Sequence, residues 1–264
     1  MFILIFEFIQ KGNILSRGIF DDIRLFLRRH LTPAVMYILL INVAVLLFQF
    51  IVLNLLGLNR PFILLFGHVA SRSYEVWRFV SYMFLHGGGM HLLFNMLALW
   101  FFGPRLESRW GTKGFLNFYF FCGIGAALVH TIFTLALSSV SGGINPAIPL
   151  IGASGAIYGI LLAYALYWPN QVVYLNFFIP VKIKYLVIIF GVLEFLGTIS
   201  GSMGDVSHIT HLGGLLAAFI YLKGFRKIFR GGWPFKGGRR RPKKMVKRYY
   251  RDKDGKIYIE FEEE

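Results

Sequence analysis

The sequence predicts an all-α membrane protein with six spanning helices and a partly embedded first loop. Its 264 residues are 56% hydrophobic and only 16% charged, and the mean hydropathy is +0.60. Soluble domains contain about 25% charged residues, so this composition indicates a chain that resides in a lipid bilayer. The 28 phenylalanines suit lipid-facing helix surfaces.

Apolar stretches long enough for a helix follow one another after residue 32. The first begins at Pro33, a residue suited to the opening turn of a helix, and ends before Gly57. Asn42 and Gln49 lie seven residues apart within it, so both amides share one face, which we expect to point into the bundle. The predicted spans are 33–56, 89–102, 115–137, 150–167, 182–198 and 208–222.

The connections between spans differ in length and charge. The first, 57–88, mixes charged and apolar residues and is too long for a turn, which predicts an ordered, partly embedded loop. We expect 103–114 to be a short charged loop. The connection 138–149 carries no charge.

Basic residues orient the predicted bundle. They crowd the N-terminal segment, the second-to-third and fourth-to-fifth connections and the tail, where 15 basic and 6 acidic side chains follow from Lys223 onward. The positive-inside rule then places both termini in the cytoplasm. Basic residues beside membrane spans indicate contact with anionic lipids, so we expect no nucleic-acid partner.

Three parts of the chain follow from this plan. Residues 1–32 form an interfacial segment, because the apolar run at the start is too short to span and lacks the basic region of a signal peptide. Residues 33–223 form the six-helix domain, and 224–264 form a basic cytoplasmic tail. Within the tail, 231–244 is predicted to be disordered and 256–261 to be a short strand.

The fourth span opens with Gly152-Ala153-Ser154-Gly155. A serine here is either a helix cap or packing residue, or a nucleophile at a helix N-terminus whose N–H groups and positive potential favour an oxyanion. The soluble esterase elbow requires glycine two residues after the serine, where this chain has Ala156. Both interpretations of Ser154 remain open on these residues alone.

Ionisable and amide side chains within spans are costly and are therefore functional candidates. His91 and Asn95 are four residues apart on one helix face, following His86 and a glycine run. His208 and His211 head the sixth span. Each pair could instead hold helices together by hydrogen bonds.

Depth links these groups. In the predicted topology His91, Ser154 and His211 all lie toward the non-cytoplasmic side. Glycine and alanine on one face of each of two spans would let those helices approach closely and bring the serine near a histidine; these residues are Gly155, Gly159, Gly214 and Ala218. Glu194 lies in the fifth span, but its expected depth argues against a third member of a triad.

The motifs together resemble those of the rhomboid family of intramembrane serine proteases, over nearly the whole range from Pro33 to Lys223. Each motif is modest alone, but their order and placement on the spans are specific. The matching features are Trp77-Arg78, the series His86, His91 and Asn95, the pair Glu107 and Arg109, Gly152-Ala153-Ser154-Gly155, and Thr210-His211-Leu212-Gly213-Gly214.

The resemblance implies roles for these residues. Ser154 would be the nucleophile and His211 the general base of a dyad without an acid member. His91, Asn95 and the Ser154 N–H would form the oxyanion hole. The resemblance gives supporting or structural roles to Gly152, Gly155, Tyr158, His86, Trp77, Arg78, Glu107 and Arg109, with Tyr158 stacking on the catalytic histidine. His208 receives no catalytic role.

The resemblance also implies a substrate and a location. The substrates would be single-span or multi-span membrane proteins, cut near the outer face in contact with membrane lipids, without a metal or other cofactor. The fifth span, with Phe190 and Phe195, would be a lateral gate. We expect a multi-pass protein of a prokaryotic inner membrane.

Three other functions are considered. A rhomboid-like chaperone or adaptor would lack the serine or the histidine, and this chain keeps both. A metal-dependent hydrolase could use four histidines, but the chain has no HExxH-type helix. A transporter with a midplane polar site would find its best support in Glu194.

Overall fold

The computed structural model describes residues 31–141, 145–175, 178–200, 207–228, 245–251 and 257–263. The α-helices are α1 (Pro33–Phe48), α2 (Asn59–Phe66), α3 (Arg78–Ser81), α4 (Gly89–Ser141), α5 (Ser154–Tyr167), α6 (Ile183–Ile199) and α7 (Ser207–Ile228). A π-helical turn, Gln49–Leu53, continues α1, and 3₁₀ turns lie at Ala70–Arg72 and Tyr82–Phe84. Two antiparallel hairpins pair β1 (Val172–Leu175) with β2 (Ile179–Lys182) and β3 (Met245–Arg251) with β4 (Ile257–Glu263).

Helix α4 is broken at one residue, and the chain folds back there, since a Cβ on Gly103 would lie 3.4 Å from the Phe115 ring. Gly111 has φ 75° and ψ 162°, a conformation outside the helical region. Glycine adopts a positive φ without the steric cost that a Cβ imposes. Helix α4 is therefore a pair of helices, here called the first arm (89–110) and the second arm (112–141).

The prediction of a loop over 103–114 is wrong, because all but one of these residues are helical. Two of the charges that suggested a loop, those of Arg105 and Arg109, lie near the end of the first arm and contact aromatic rings. The Arg105 guanidinium lies 4.2 Å from the Trp168 ring centroid. That of Arg109 lies 4.5 Å from the Tyr167 ring centroid. Such cation–π contacts hold the first arm against the end of α5.

Glu107 caps helix α1. Its carboxylate accepts hydrogen bonds from the N–H groups of Ala34 (2.9 Å) and Val35 (3.1 Å). The hydroxyls of Thr32 and Thr112 donate to it as well. The first N–H groups of a helix have no acceptor within the helix, and the helix dipole favours negative charge there. The buried carboxylate therefore joins the start of α1 to the reversal in α4.

Other helix boundaries differ from the predicted spans by a few residues. Helix α5 begins at Ser154, four residues later than predicted. The second arm runs on to Ser141, and α7 continues to Ile228. Apolar content marks where a chain can be buried, whereas lysine and arginine are also good helix formers and extend α7 beyond its apolar part. The hairpin of β1 and β2 between α5 and α6 was not among the predicted elements.

The surface of the helices is apolar. Large side chains remain exposed along them, for example Leu40 (58%), Ile132 (69%) and Ile188 (61%). The predicted inward face of the first span is confirmed, since Asn42 and Gln49 are buried. Apolar side chains on the outside and amide side chains on the inside are typical of a membrane protein. By length and composition, the helical stretches Pro33–Leu53 and Gly89–Val140 could each cross a membrane, and the latter contains both arms of α4.

Three predictions concern the ends of the chain. The interfacial segment within 1–32 and the disordered stretch 231–244 lie outside the described residues, apart from 31–32. The strand predicted over 256–261 corresponds to β4, which begins at Ile257 and pairs with β3.

The first loop is organised around Arg78, whose side chain is completely buried. Its Nη1 donates to the carbonyls of Leu64 (2.6 Å) and Gly67 (2.7 Å). Its Nε pairs with the Glu75 carboxylate. A planar, always charged guanidinium suits such a set of fixed acceptors. Arg78 thereby joins the end of α2 to the start of α3.

The same loop supports the segment in front of α5. The backbones of His68 and Leu150 exchange two hydrogen bonds, of 2.9 and 2.7 Å. The Gly152 N–H donates to the Tyr82 carbonyl (2.9 Å). The Tyr82 hydroxyl in turn donates to the Gly123 carbonyl on the second arm of α4 (2.7 Å). The residues before Ser154 are therefore held in place by the loop.

Helices α5 and α7 meet without side chains between them. A Cβ placed on Gly214 would lie 1.9 Å from the Gly155 carbonyl oxygen. A Cβ on Gly159 would lie 3.4 Å from the Gly214 oxygen. The close approach predicted from these small residues is confirmed. Contact between bare backbones lets van der Waals packing join helices in lipid.

Replacing Gly214 with alanine should destabilise the protein, because the added methyl would collide with a backbone atom that cannot rotate away. Overpacking costs about 1–3 kcal/mol, so the apparent unfolding temperature in detergent should fall by roughly 2–12 °C. The matched control is Gly224→Ala on the same helix, where an added Cβ meets nothing within 4 Å. Equal unfolding temperatures for the two variants would contradict the close contact.

His68 is a buried histidine in the first loop. Its Nε2 lies 2.7 Å from the Thr131 hydroxyl, which itself donates to the Ala127 carbonyl, so His68 is the donor at Nε2. Burial, followed by the nearby His130 and Arg78, lowers the pKa of His68 to about 4. The ring is therefore neutral in the folded protein at physiological pH.

This lowered pKa predicts a loss of stability in acid. Between pH 6.5 and 4 the unfolded chain binds a proton at His68 that the folded chain does not, so stability falls as pH falls through this window. The loss is about 1.4 kcal/mol per pH unit at most. In thermal unfolding from pH 7.5 to 5, a His68→Gln variant, which keeps an N–H donor, should show a weaker pH dependence. The same slope in both proteins would refute this origin.

Candidate active site

Ser154 is the first residue of α5 and is half-buried. The cap position belongs to Ala153, so the serine hydroxyl is not used as a cap. Gly152 has φ +119°, which lets the chain turn sharply before the helix. The first N–H groups of α5 point out of the helix end without intrahelical acceptors. The hydroxyl therefore lies at the end of the helix where these donors are.

His211 lies four residues into α7. Its Nε2 is 2.8 Å from Ser154 Oγ, which is hydrogen-bond distance. The two groups come from helices that contact each other at Gly155 and Gly214. A serine becomes a competent nucleophile when a base at this distance accepts its proton. The structure therefore brings together the alcohol and the imidazole that the sequence analysis singled out.

Tyr158 holds the imidazole from one face. Its ring stacks on that of His211 with centroids 4.3 Å apart and an interplanar angle of 5°. Tyr158 follows Ser154 by one turn, so the same helix face supplies the hydroxyl and the stacking ring. A neutral His211 that accepts the serine proton at Nε2 carries its own proton on Nδ1.

Glu194 lies beside that Nδ1. Its Oε1 is 2.9 Å from His211 Nδ1, although the two are not aligned as a hydrogen bond. The prediction that Glu194 lies at a different depth from the site is wrong. Glu194 is five residues before the end of α6, and His211 is four residues after the start of α7. The two positions are therefore level across consecutive helices, and counting back from the connecting loop would have revealed it.

His208 also contacts Glu194. Its Nδ1 lies 2.6 Å from Oε2 of the carboxylate. A Cβ on Gly197 would come within 2.9 Å of three atoms of the His208 ring, so the glycine leaves room for that ring against α6. Sequence reasoning gave His208 no role, and its contact with the carboxylate is the feature that this reasoning missed.

His91 faces the other side of the serine. A Cβ on Gly152 would lie 2.8 Å from His91 Nε2 and 3.9 Å from Ser154 Oγ, so both atoms border the same space. The Gly87 N–H donates to His91 Nδ1 at 3.4 Å. A ring that accepts at Nδ1 carries its proton on Nε2 when neutral. His91 can thus direct an N–H toward the space in front of Ser154.

Asn95 lies one turn after His91 and is buried. Its Nδ2 donates to the His91 carbonyl at 2.9 Å. Because a side-chain amide has two N–H donors, the second remains for another acceptor. In this conformation Asn95 is turned toward its own helix backbone.

His86 packs beneath His91, with ring centroids 5.0 Å apart. It is 1% exposed. Burial, followed by the nearby His91, lowers the pKa of His86 to about 4. A neutral ring in this position supports His91 without adding charge to the space near the serine.

The remaining motif residues lie away from the serine. Trp77 donates from its indole to the Leu65 carbonyl at 3.4 Å in the first loop, next to Arg78. Glu107 and Arg109 lie at the far end of the first arm. These four positions join helices and loops, as described above for three of them.

Comparisons with known proteins agree with the motifs. The Rhomboid domain family model matches residues 73–227, more than half of the chain. Rhomboid protease AarA of Providencia stuartii is 31% identical over 189 residues, which cover 68% of this chain and 67% of that protein.

Two further relatives are shorter matches. Rhomboid protease GluP of Bacillus subtilis is 31% identical over 148 residues, covering 55% of this chain and 25% of that protein. RHOMBOID-like protein 1 of Arabidopsis thaliana is 33% identical over 172 residues, and the match spans 65% of this chain and 39% of the plant protein. The family resemblance drawn from the motifs is confirmed: this chain belongs to the rhomboid family.

Proposed function

We propose that this chain is an intramembrane serine endopeptidase that cleaves spanning helices of other membrane proteins through a dyad of Ser154 and His211. The observation that carries the proposal is the 2.8 Å distance between Ser154 Oγ and His211 Nε2. The relatives named as rhomboid proteases support the same reaction class. No metal or other cofactor enters this mechanism.

The reaction follows from the positions of these groups. His211 Nε2 takes the hydroxyl proton while Ser154 Oγ bonds to the scissile carbonyl carbon. The resulting oxyanion accepts hydrogen bonds from the Ser154 N–H, from His91 Nε2–H and from Asn95 after its amide turns. His211 then gives its proton to the leaving amine as the C–N bond breaks. Water, deprotonated by His211, attacks the acyl ester and releases the second product and the serine.

The substrate must expose a carbonyl to this site. The peptide groups of a regular helix are occupied by their own hydrogen bonds, so a spanning helix has to unwind locally before it can be cut. Small or helix-breaking residues near the scissile bond would ease this step. Water would reach the serine through a cavity open to the outer face, where the uncharged first residues of α5 would lie.

The proposed topology has six spans, with the two arms of α4 counted separately and 33–223 as the catalytic domain. The charged contacts of Arg105 and Arg109 with the aromatic end of α5 mark the side opposite Ser154. By the positive-inside rule that side is cytoplasmic, with both termini and the tail 224–264. Cleavage would then occur near the outer face of a prokaryotic inner membrane, with the first loop partly embedded.

Helix α6 is proposed as the lateral entrance for substrates. Phe190 lies 6.4 Å from the Tyr158 ring, between centroids, while Phe195 is 55% exposed. One ring therefore packs toward the site and the other faces the proposed lipid. Movement of α6 would open a path from the bilayer to Ser154.

Ser154→Ala and His211→Ala should each abolish cleavage of a single-span model substrate in liposomes, because the nucleophile or its base is lost. Wild-type protein should be labelled at residue 154 by a fluorophosphonate, mapped by mass spectrometry. Ser139→Ala, on the exposed end of the second arm, is the matched serine control and should cleave normally. Wild-type turnover by either dyad variant, with its unfolding temperature unchanged, would rule out the dyad.

His91→Ala and Asn95→Ala should each reduce kcat by about 10²-fold, because one oxyanion donor is removed while others remain. The KM should change little, since the effect is confined to the transition state. Cleavage kinetics in liposomes measure both constants. A change in KM alone for both variants would instead assign these residues to substrate binding.

A further inference from the structure

One acidic side chain inside the helix bundle has no part in the dyad as described. Glu194 is 8% exposed and lies on α6, between α5 and α7. An ionised carboxylate is costly in a membrane interior unless it is paired. The contacts of this carboxylate are therefore informative about its role.

Both oxygens of Glu194 have partners. Oε1 accepts a hydrogen bond from the Tyr158 hydroxyl and lies 2.9 Å from His211 Nδ1. Oε2 lies 2.6 Å from His208 Nδ1. The partners come from two helices. One is the His211 ring that contacts Ser154, and another is Tyr158, which stacks on that ring. The Tyr158 and His208 contacts would be enough to stabilise a buried carboxylate. The additional approach to His211 Nδ1 therefore indicates a role at the imidazole.

We propose that Glu194 is a positioning residue for His211. It keeps the proton on Nδ1, so that Nε2 is bare toward Ser154, and it stabilises the imidazolium that forms when the serine is deprotonated. This inference rests on the proposed function, because it assigns a role to a neighbour of the proposed base.

The orientation of the ring follows from two contacts together. Tyr158 stacks on its face, and Glu194 lies at its Nδ1 edge, so the ring can neither tilt nor flip without losing a contact. Tyr158 joins the two contacts, since its hydroxyl donates to the same carboxylate oxygen that faces His211. The 2.9 Å contact is not an aligned hydrogen bond, so Glu194 acts on the ring chiefly through its charge.

The charged and titratable groups around His211 are few among the described residues. Glu194 faces it from α6, Tyr158 from α5, and His208 precedes it by one turn on α7. On the second arm of α4, the residues nearest to Gly213, two positions after His211, are the uncharged Ala126 and Val129. Glu194 is therefore the negative charge through which the environment acts on this imidazole.

Glu194→Gln tests the proposal, because it keeps the shape of the side chain and removes its charge. We expect kcat to fall by about 10²-fold with little change in KM. The acid limb of the pH–rate profile should move to lower pH, because the negative charge that favours the imidazolium is removed. A residue that only stabilises the fold would not shift this limb.

Two further variants make the test specific. Leu193→Ala, at the adjacent lipid-facing position, which is 56% exposed, should leave both the rate and the profile unchanged. His208→Gln should change the profile less than Glu194→Gln, because the carboxylate beside His211 is retained. A profile of Glu194→Gln that overlays the wild type would overturn the proposal.

A measurement on the wild type remains decisive if Glu194→Gln does not fold. Nuclear magnetic resonance of ¹⁵N-labelled histidine, assigned with His211→Ala, should show His211 protonated on Nδ1 at neutral pH. A main population protonated on Nε2 would overturn the proposal. Wild-type protein that is not labelled by a fluorophosphonate at Ser154 would overturn the proposed function itself, and the role of Glu194 with it. Normal labelling with an unshifted profile would overturn only the role of Glu194.

Discussion

The contact between the backbones of α5 and α7 is the constraint on which the candidate site depends. At Gly214 a single added carbon would lie 1.9 Å from the Gly155 carbonyl oxygen. With no side chain between them, the two helices are close enough for the residue just before Gly155 to meet the residue three before Gly214. Ser154 and His211 are these residues, and a wider spacing would separate the hydroxyl from the imidazole.

Small residues also bring the second arm of α4 close to α5 and α7. On the second arm of α4, Ala126 lies against both Gly155 and Gly213, while Gly125 accommodates Ala217. Lipid tails are as apolar as the helix surfaces, so helix association in a bilayer relies on such close van der Waals contact. Three helices are thus joined by small residues near the serine, while large apolar side chains remain exposed on the outer surface of the helices.

The buried charged side chains of the bundle differ in the kind of partner that they contact. Arg78 and Glu107 are fully or almost fully buried, and their partners are backbone groups and nearby side chains that fix a loop and a helix end. Glu194 differs, because its partners are two histidines and a tyrosine. Arg78 and Glu107 thus contact groups that hold the fold together, whereas Glu194 contacts side chains that can exchange protons.

The sequence by itself determined the helical membrane class, the order of most helices, the family and the residues that merit attention. Composition, apolar run length and local spacing suffice for these, since each depends on residues that are near one another in the chain. Only the tertiary structure decided that 103–114 is helical apart from Gly111, because charged residues there find aromatic and backbone partners from distant segments. Only the structure brought Glu194 and His208 to the edge of the site. The sequence gives the position of a residue along its own helix. Which residue of the next helix lies beside it depends on where each helix ends and how closely the two helices pack.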